Sequence, residues 1–378
     1  MSWDLQSQAA QLKADHLWRE LRTLDSAQGP LVQVGGRELV NFSSNDYLGL
    51  ADSAELSVAM QEGVELYGAG SGSSRLVCGT MKPHAELEAA LAAFKRTEAA
   101  LTFSSGYAVA LGTIPALVGS GDTIILDKLS HACLVDAARL SGATIRVFPH
   151  NHLEKLRKLL ETAKGRVLVV TEAVFSMDGD ACPLAEIVEL KEHHGAWLLL
   201  DEAHAVGVIG PQGRGLTAAL GLENRVELQM GTLSKALGLS GGYLAASRQV
   251  IDLLINRARS LIYSTAPPPC LAHAARAALD IVTSGEGDRR RETLHGHIRR
   301  LSPGAPGISA IVPRIMGDET RAMEASARLL ESGFLIPAIR YPTVARGSAR
   351  LRITASAAHQ PEQIQSLLQC LAQLGLSD

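Results

Sequence analysis

Seven short apolar runs lie along the middle of the chain, separated by helix-like stretches. They are Ala100–Phe103, Thr123–Leu126, Thr144–Phe148, Val167–Val170, Trp197–Leu200, Glu227–Met230 and Gly242–Ala245. Within each run the apolar character is continuous rather than alternating. A strand of that kind is covered on both faces, as in a parallel sheet. The segments Glu154–Ala163 and Pro183–His194 fit crossover helices between such strands. The pattern predicts an α/β, doubly wound fold with a mostly parallel seven-stranded sheet.

Outside this block the pattern changes. A helix is expected over Cys270–Thr283, after Pro267, Pro268 and Pro269, and Gly285–Asp288 reads as a break. Beyond it, strands at Ala310–Pro313 and Leu351–Ile353 and amphipathic helices at Thr320–Ser332 and Pro361–Leu374 describe a smaller C-terminal α+β domain. At the other end, Leu5–Leu24 reads as one long helix, polar on several faces, acting as a packing arm. The expected division is an N-terminal arm at 1–48, a large domain at 49–286 and a small domain at 287–378.

Composition narrows the function. The chain has 378 residues, 46% hydrophobic and 20% charged, enough for a sizeable core. A net charge of −3, with one dense basic run at Arg289–Arg291, argues against nucleic acid as a partner. The five cysteines are far apart and include no CxxC pair, so neither a disulfide framework nor a structural metal site is expected. Met1–Gln11 has no basic start and no apolar run, and no stretch reaches the length of a membrane span. A cytoplasmic protein, off the membrane, is the expectation.

Ligands of open parallel sheets gather beyond the carboxyl ends of the strands. Ser104-Ser105-Gly106-Tyr107 follows the first run and leads into a helix, where free N–H groups suit a phosphate. Asp127–His131 follows the second run, and Thr171-Glu172 and Ser176–Gly179 follow the fourth. Asp201-Glu202-Ala203-His204 follows the fifth, and Gly231-Thr232-Leu233-Ser234-Lys235 the sixth. A lysine in a glycine-rich loop is by itself usually just exposed. An Asp-x-x-His at one strand end with a Thr-x-x-Lys at the next says more. Pyridoxal 5'-phosphate (PLP) needs an imine-forming lysine, a carboxylate for its ring nitrogen, a phosphate cradle and a group against its ring face. Lys235, Asp201, Gly106–Tyr107 with Thr232, and His131 can supply these in turn. Gly68–Arg75 resembles a dinucleotide fingerprint but lacks the preceding strand, and reads as a hinge or substrate-side loop.

Several segments resemble the α-oxoamine synthase family, within fold type I of the PLP enzymes. They are Asn41–Leu50, Asp127–Ala132, Val169–Asp180, Asp201–His204, Gly231–Gly238 and Leu261–Thr265, in order and at family spacing. Asn41–Tyr47 and Ile339–Val344 are more like the branch that condenses L-alanine with a pimeloyl thioester in biotin biosynthesis. Glycine C-acetyltransferase and 5-aminolevulinate synthase, which use glycine, are the alternatives. The resemblance implies a Schiff base on Lys235, Asp201 against the pyridinium nitrogen, His204 on the phenolic oxygen and His131 stacked on the ring. It implies that Gly106, Tyr107, Ser176 and Thr232 hold the cofactor, while Asn45 and Glu172 line the site. Arg340 would bind the amino-acid carboxylate, and Arg19 and Thr343 would face the acyl chain, with Arg22 a rival to Arg19. Ser264 and Thr265 would reach the phosphate of a partner subunit, which implies a homodimer with shared sites. Arg290–Ser309 is shorter than in relatives.

Overall fold

A computed structural model describes residues 3–15, 17–304 and 308–376. The strands are β1 Leu31–Val34, β2 Arg37–Asn41, β3 Ala99–Phe103, β4 Thr123–Asp127, β5 Thr144–Phe148, β6 Val167–Glu172 and β7 Trp197–Asp201. They continue as β8 Leu228–Thr232, β9 Gly242–Ala246, β10 Ile311–Gly317, β11 Phe334–Leu335, β12 Ala338–Ile339 and β13 Ala349–Thr354. The expected runs are thus β3 to β9, each within two residues at either end.

These seven strands form one sheet in the order β3-β9-β8-β7-β6-β4-β5. Strand β9 is antiparallel to both neighbours, and the other pairings are parallel. The winding reverses at β4: β5 is added on one side of it and β6 on the other. That reversal is a switch point, where the loops after adjacent strands diverge and leave a crevice. β3, β4, β8 and β9 are buried along their whole length, as continuous apolar runs require. Helix Gly106–Leu117 packs through Val109, Ala110, Ile114 and Leu117 into a core shared with Leu101, Ile124, Leu134 and Leu254. Each Val, Leu or Ile among them contributes about 1.5–3 kcal/mol of burial.

The chain divides into two compact units. One comprises Ser44–Val312 and Thr354–Ile364; the other comprises Met1–Ser43, Pro313–Ile353 and Gln365–Asp378. These units do not coincide with the three consecutive segments expected from the sequence. β11 pairs in parallel with β2, so N-terminal and C-terminal chain build one sheet, in the order β1-β2-β11. Val32, Leu39 and Leu335 form its core. A further sheet has the order β10-β13-β12.

Two local expectations differ from the structure. The N-terminal helix spans only Leu5–Ala14 and buries none of its residues. Without an apolar stripe to pack, little favours its extension to Leu24. Gly285–Asp288 marks a boundary but opens a helix, Gly285–Leu301, in which Ser284 caps the Glu286 N–H and Glu286 and Asp288 occupy the first turn. Capping and a favourable helix dipole outweigh two glycines. The expected short region Arg290–Ser309 contains residues 305–307, which lie outside the described residues, as do residues 1 and 2 of the Met1–Gln11 segment.

Candidate active site

The larger unit brings Lys235, His204, Asp201, His131, Glu172 and Asn45 into the region beyond the carboxyl ends of its strands. Lys235 sits in the loop after β8. Thr232 shapes that loop, its hydroxyl donating to the Gly241 carbonyl at 2.8 Å and accepting the Ser234 N–H at 3.2 Å. The Gly238 N–H closes the turn on the Lys235 carbonyl at 2.9 Å. Gly238 has a φ of +72°, and a Cβ there would stand 2.6 Å from the Leu50 carbonyl carbon and the Ala51 nitrogen. Only glycine combines that conformation with that contact.

Lys235 Nζ lies 2.8 Å from His204 Nε2. His204 Nδ1 lies 2.5 Å from the Tyr47 hydroxyl, which is 3.2 Å from Asn45 Oδ1. One proton arrangement satisfies every member: Tyr47 donates to Asn45 and accepts from Nδ1–H, so Nε2 accepts from Lys235. The expected group His204 thus stands against the lysine, with Asn45 two bonds behind it. Tyr47 had no role assigned from sequence. It is fully buried in an apolar stretch, where a tyrosine looks like core.

Asp201 ends β7 and Glu172 ends β6, directly opposite in the parallel ladder. Both are buried. Asp201 accepts the Ala203 N–H at 2.9 Å, and Glu172 Oε1 accepts the His131 N–H at 2.5 Å. Burial pushes the Glu172 carboxyl well above the usual range, and the charge of Asp201 adds to it. Burial also raises Asp201, against the pull of Lys235. Both carboxyls are pushed toward the neutral acid, Glu172 more strongly, while Lys235 and His131 draw Asp201 back toward the anion. His131 caps helix Ala132–Ser141, its Nδ1 accepting the Cys133 N–H at 3.2 Å. Desolvation lowers its pKa, and Lys235 adds to that against the charge of Asp201, so the ring is neutral near pH 7.

Gly106 and Tyr107 open helix Gly106–Leu117, whose first N–H groups have no intrahelical acceptor. A Cβ on Gly242 would sit 2.6 Å from the Gly106 nitrogen, so glycine in β9 lets this helix start approach the sheet. The Tyr107 hydroxyl donates to Asp136. Ser176 lies in the turn after β6, where the Gly179 N–H reaches the Phe175 carbonyl at 2.9 Å. Thr265 bridges to Ser74, and the Ala266 N–H bonds the Ser73 carbonyl at 2.9 Å. Thr265 and Ala266 thereby join the segment after Ser264 to the glycine-rich loop 68–75.

The other unit holds Arg19, Thr343 and Arg340. Arg19 Nη2 donates to Thr343 Oγ1 at 3.2 Å, and Arg340 Nη2 to the Trp18 carbonyl at 3.0 Å. Arg340 also lines a cavity of about 380 Å³ with Lys13, Trp18 and Met323. Arg19, not Arg22, makes the bond to Thr343. Glu202 belongs to the Asp201–His204 motif but points elsewhere. It pairs with buried Lys95 and accepts the Thr217 N–H at 3.0 Å, fixing the strand end from behind. Among the described residues, no group of three or more His, Cys, Asp or Glu could hold a metal ion, and no helix is long and apolar enough to cross a membrane.

These donors fit PLP on their chemistry: a lysine amine, a buried carboxylate drawn toward the anion by that lysine, a neutral imidazole beside both, and a helix start approached closely because glycine faces it. The sheet and these strand ends define a fold type I PLP enzyme. The family model for aminotransferase class I and II matches residues 37–371. The 8-amino-7-oxononanoate synthase of Geobacter sulfurreducens is 47% identical over 99% of this chain and 98% of its own. Among solved structures, the serine palmitoyltransferase of S. paucimobilis with a bound PLP–myriocin aldimine is 31% identical, with a TM-score of 0.92 over 98% of this chain and 96% of that one. The 8-amino-7-oxononanoate synthase of Francisella tularensis is 27% identical, with a TM-score of 0.77 over 89% of this chain and 98% of that one. The chain belongs to the aminotransferase class I and II family, among the 8-amino-7-oxononanoate synthases, which are PLP-dependent acyltransferases.

Proposed function

We propose that the chain joins L-alanine to a pimeloyl thioester, on coenzyme A or acyl carrier protein, giving 8-amino-7-oxononanoate, CO2 and the free thiol in biotin biosynthesis. The observation that carries this is the Lys235 amine held 2.8 Å from His204 beside buried Asp201. Bound PLP supplies an aldehyde for the amino group and an electron-withdrawing ring next to the reacting carbon. Asp201 provides the anion that a protonated pyridine nitrogen needs. His131 offers a flat neutral ring, and the Gly106–Tyr107 N–H groups with Ser176 and Thr232 offer the phosphate cradle. The Lys235 amine takes the alanine Cα proton, as a desolvated lysine can. His204, braced by Tyr47 and Asn45, holds that amine in position. Arg340 supplies a guanidinium for the alanine carboxylate, and Arg19 with Thr343 the acyl-side contacts.

A second copy of the chain completes the site in this reading. Ser264 and Thr265 would serve the partner's phosphate, and Leu66, Val77 and Tyr263 are 67%, 78% and 72% exposed in the same unit. Such exposed apolar side chains suit an interface. The free, mostly buried cysteines fit a cytoplasmic enzyme. The test is an absorbance titration of the PLP-loaded protein with L-alanine, glycine and L-serine, followed by pimeloyl thioester. Alanine should change the spectrum and support thiol release. A response to glycine alone would overturn the substrate, and a protein that takes up no PLP would overturn the class.

A further inference from the structure

His150 follows β5 and bridges two carboxylates from different parts of the sheet. Its Nδ1 lies 3.1 Å from Asp127 Oδ1, at the end of β4. Its Nε2 lies 2.8 Å from Asp180 Oδ2, in the loop after β6. Both ring nitrogens face carboxylate oxygens, so both carry protons and the ring is an imidazolium. The Phe175 ring packs edge-on against it, with centroids 4.3 Å apart. His150 is 24% exposed.

Each carboxylate organises a loop. Asp127 Oδ1 accepts the Leu129 N–H at 2.8 Å and Oδ2 the Asn151 N–H at 2.9 Å, and its carbonyl accepts the Ser130 N–H at 3.1 Å. That loop ends at His131. The Asp180 carbonyl accepts the Phe175 N–H at 3.0 Å, closing the turn that carries Ser176. Asn151 reinforces the junction, its Nδ2 donating to Asp180 Oδ2 and the Ala181 carbonyl, both at 3.2 Å. The two loops follow β4 and β6, the strands between which the crevice opens.

We infer that His150 is a positioning residue for the cofactor site: a charged tie that fixes the loop bearing His131 relative to the loop bearing Ser176, resting on the reading of those loops as PLP-binding. It touches neither cofactor nor substrate and acts through Asp127 and Asp180. A neutral imidazole carries one N–H and cannot donate to both carboxylates, and a phenyl ring donates to neither, which leaves Asn151 as the remaining link between the two loops.

The test compares the wild type with His150→Phe, which keeps the ring contact to Phe175, with His150→Gln, and with the milder Asp180→Asn. In cofactor-free protein, hydrogen exchange at amides 128–131 and 175–180 should speed up together in His150→Phe, with other β-strand amides unchanged. PLP should bind about tenfold more weakly, the scale of a lost charge-assisted hydrogen bond, and the visible circular dichroism of bound PLP should change shape. His150→Gln should recover part of the affinity. Combining His150→Phe with Asp180→Asn should cost little more than His150→Phe alone, because both break one tie. A uniform fall in stability with unchanged PLP affinity and dichroism would overturn the inference. Should His150→Phe not fold, unchanged affinity and dichroism in Asp180→Asn would overturn it equally. Wild-type protein that binds no PLP would overturn the site reading itself, a different result from a PLP-bound wild type matched by its variants.

Discussion

Glu172 and Asp201 stand opposite each other on adjacent strands, yet their chemistry differs. Asp201 faces Lys235, so its charge is compensated. Glu172 accepts a backbone N–H, and burial together with the charge of Asp201 pushes its carboxyl well above the usual range. A glutamine is close in shape and neutral, and its carbonyl can accept the same His131 N–H. Glu172→Gln should therefore bind PLP within about twofold of wild type, while Glu172→Ala leaves that N–H unpaired and should lose about tenfold. Fluorescence titration with PLP separates the two. Lys235→Ala should bind PLP without the imine absorbance of a PLP-lysine enzyme. An unchanged visible spectrum would end the assignment of Lys235.

At the scale of elements, strands and loops were legible to different degrees. Most of the seven strands could be read because burial on both faces leaves an unbroken apolar run, and no charge interrupts β3, β8 or β9. β5, at the sheet edge, is exposed over most of its length and carries Arg146, so the expected cover on both faces does not hold there. The lysine and Asp-x-x-His blocks could be read because they follow those runs. Tyr47 and Glu202 were not assigned: one resembles core, and the other shares a motif with catalytic-type residues while tying down a helix. His150 was invisible because its partners are 23 and 30 residues away. The short N-terminal helix was overextended because periodicity alone does not reveal whether a partner surface exists.

The loop carrying Lys235 and the pair behind His204 each give a test at this scale. Gly238→Ala forces a Cβ into backbone at positive φ and should cost about 1–3 kcal/mol, seen in thermal unfolding, with weakened PLP binding. Lys95→Ala leaves buried Glu202 without its cation, which should cost about 3–5 kcal/mol by chemical denaturation. A loss under 1 kcal/mol would mean that the Lys95–Glu202 pair does not brace the strand end.

For the whole molecule, His150 links pH to stability. Burial opposes its charge, but Asp127 and Asp180 outweigh that and raise its pKa to about 10. The unfolded value is near 6.5. A raised folded pKa means the contribution is complete below about 6.5 and declines as pH climbs toward 10. Denaturation midpoints of wild type should fall across that window, and those of His150→Phe should fall less. Equal slopes would deny the imidazolium.

The shared site can be tested without a new structure. Let one subunit carry Lys235→Ala and another Ser264→Ala with Thr265→Ala, each homodimer being inactive or nearly so. If Ser264 and Thr265 serve the partner's phosphate, a hybrid dimer has one site with Lys235 from one chain and both hydroxyls from the other, and that site is intact. If every site is built within one chain, both sites of the hybrid are damaged. Random assortment of equal amounts makes half the dimers hybrids, each with one good site, so about a quarter of wild-type activity should appear on mixing under exchange conditions. Activity no greater than the mean of the two parents, with exchange verified by tagged subunits, would confine each site to a single chain and overturn the assignment of Ser264 and Thr265 to the partner's phosphate.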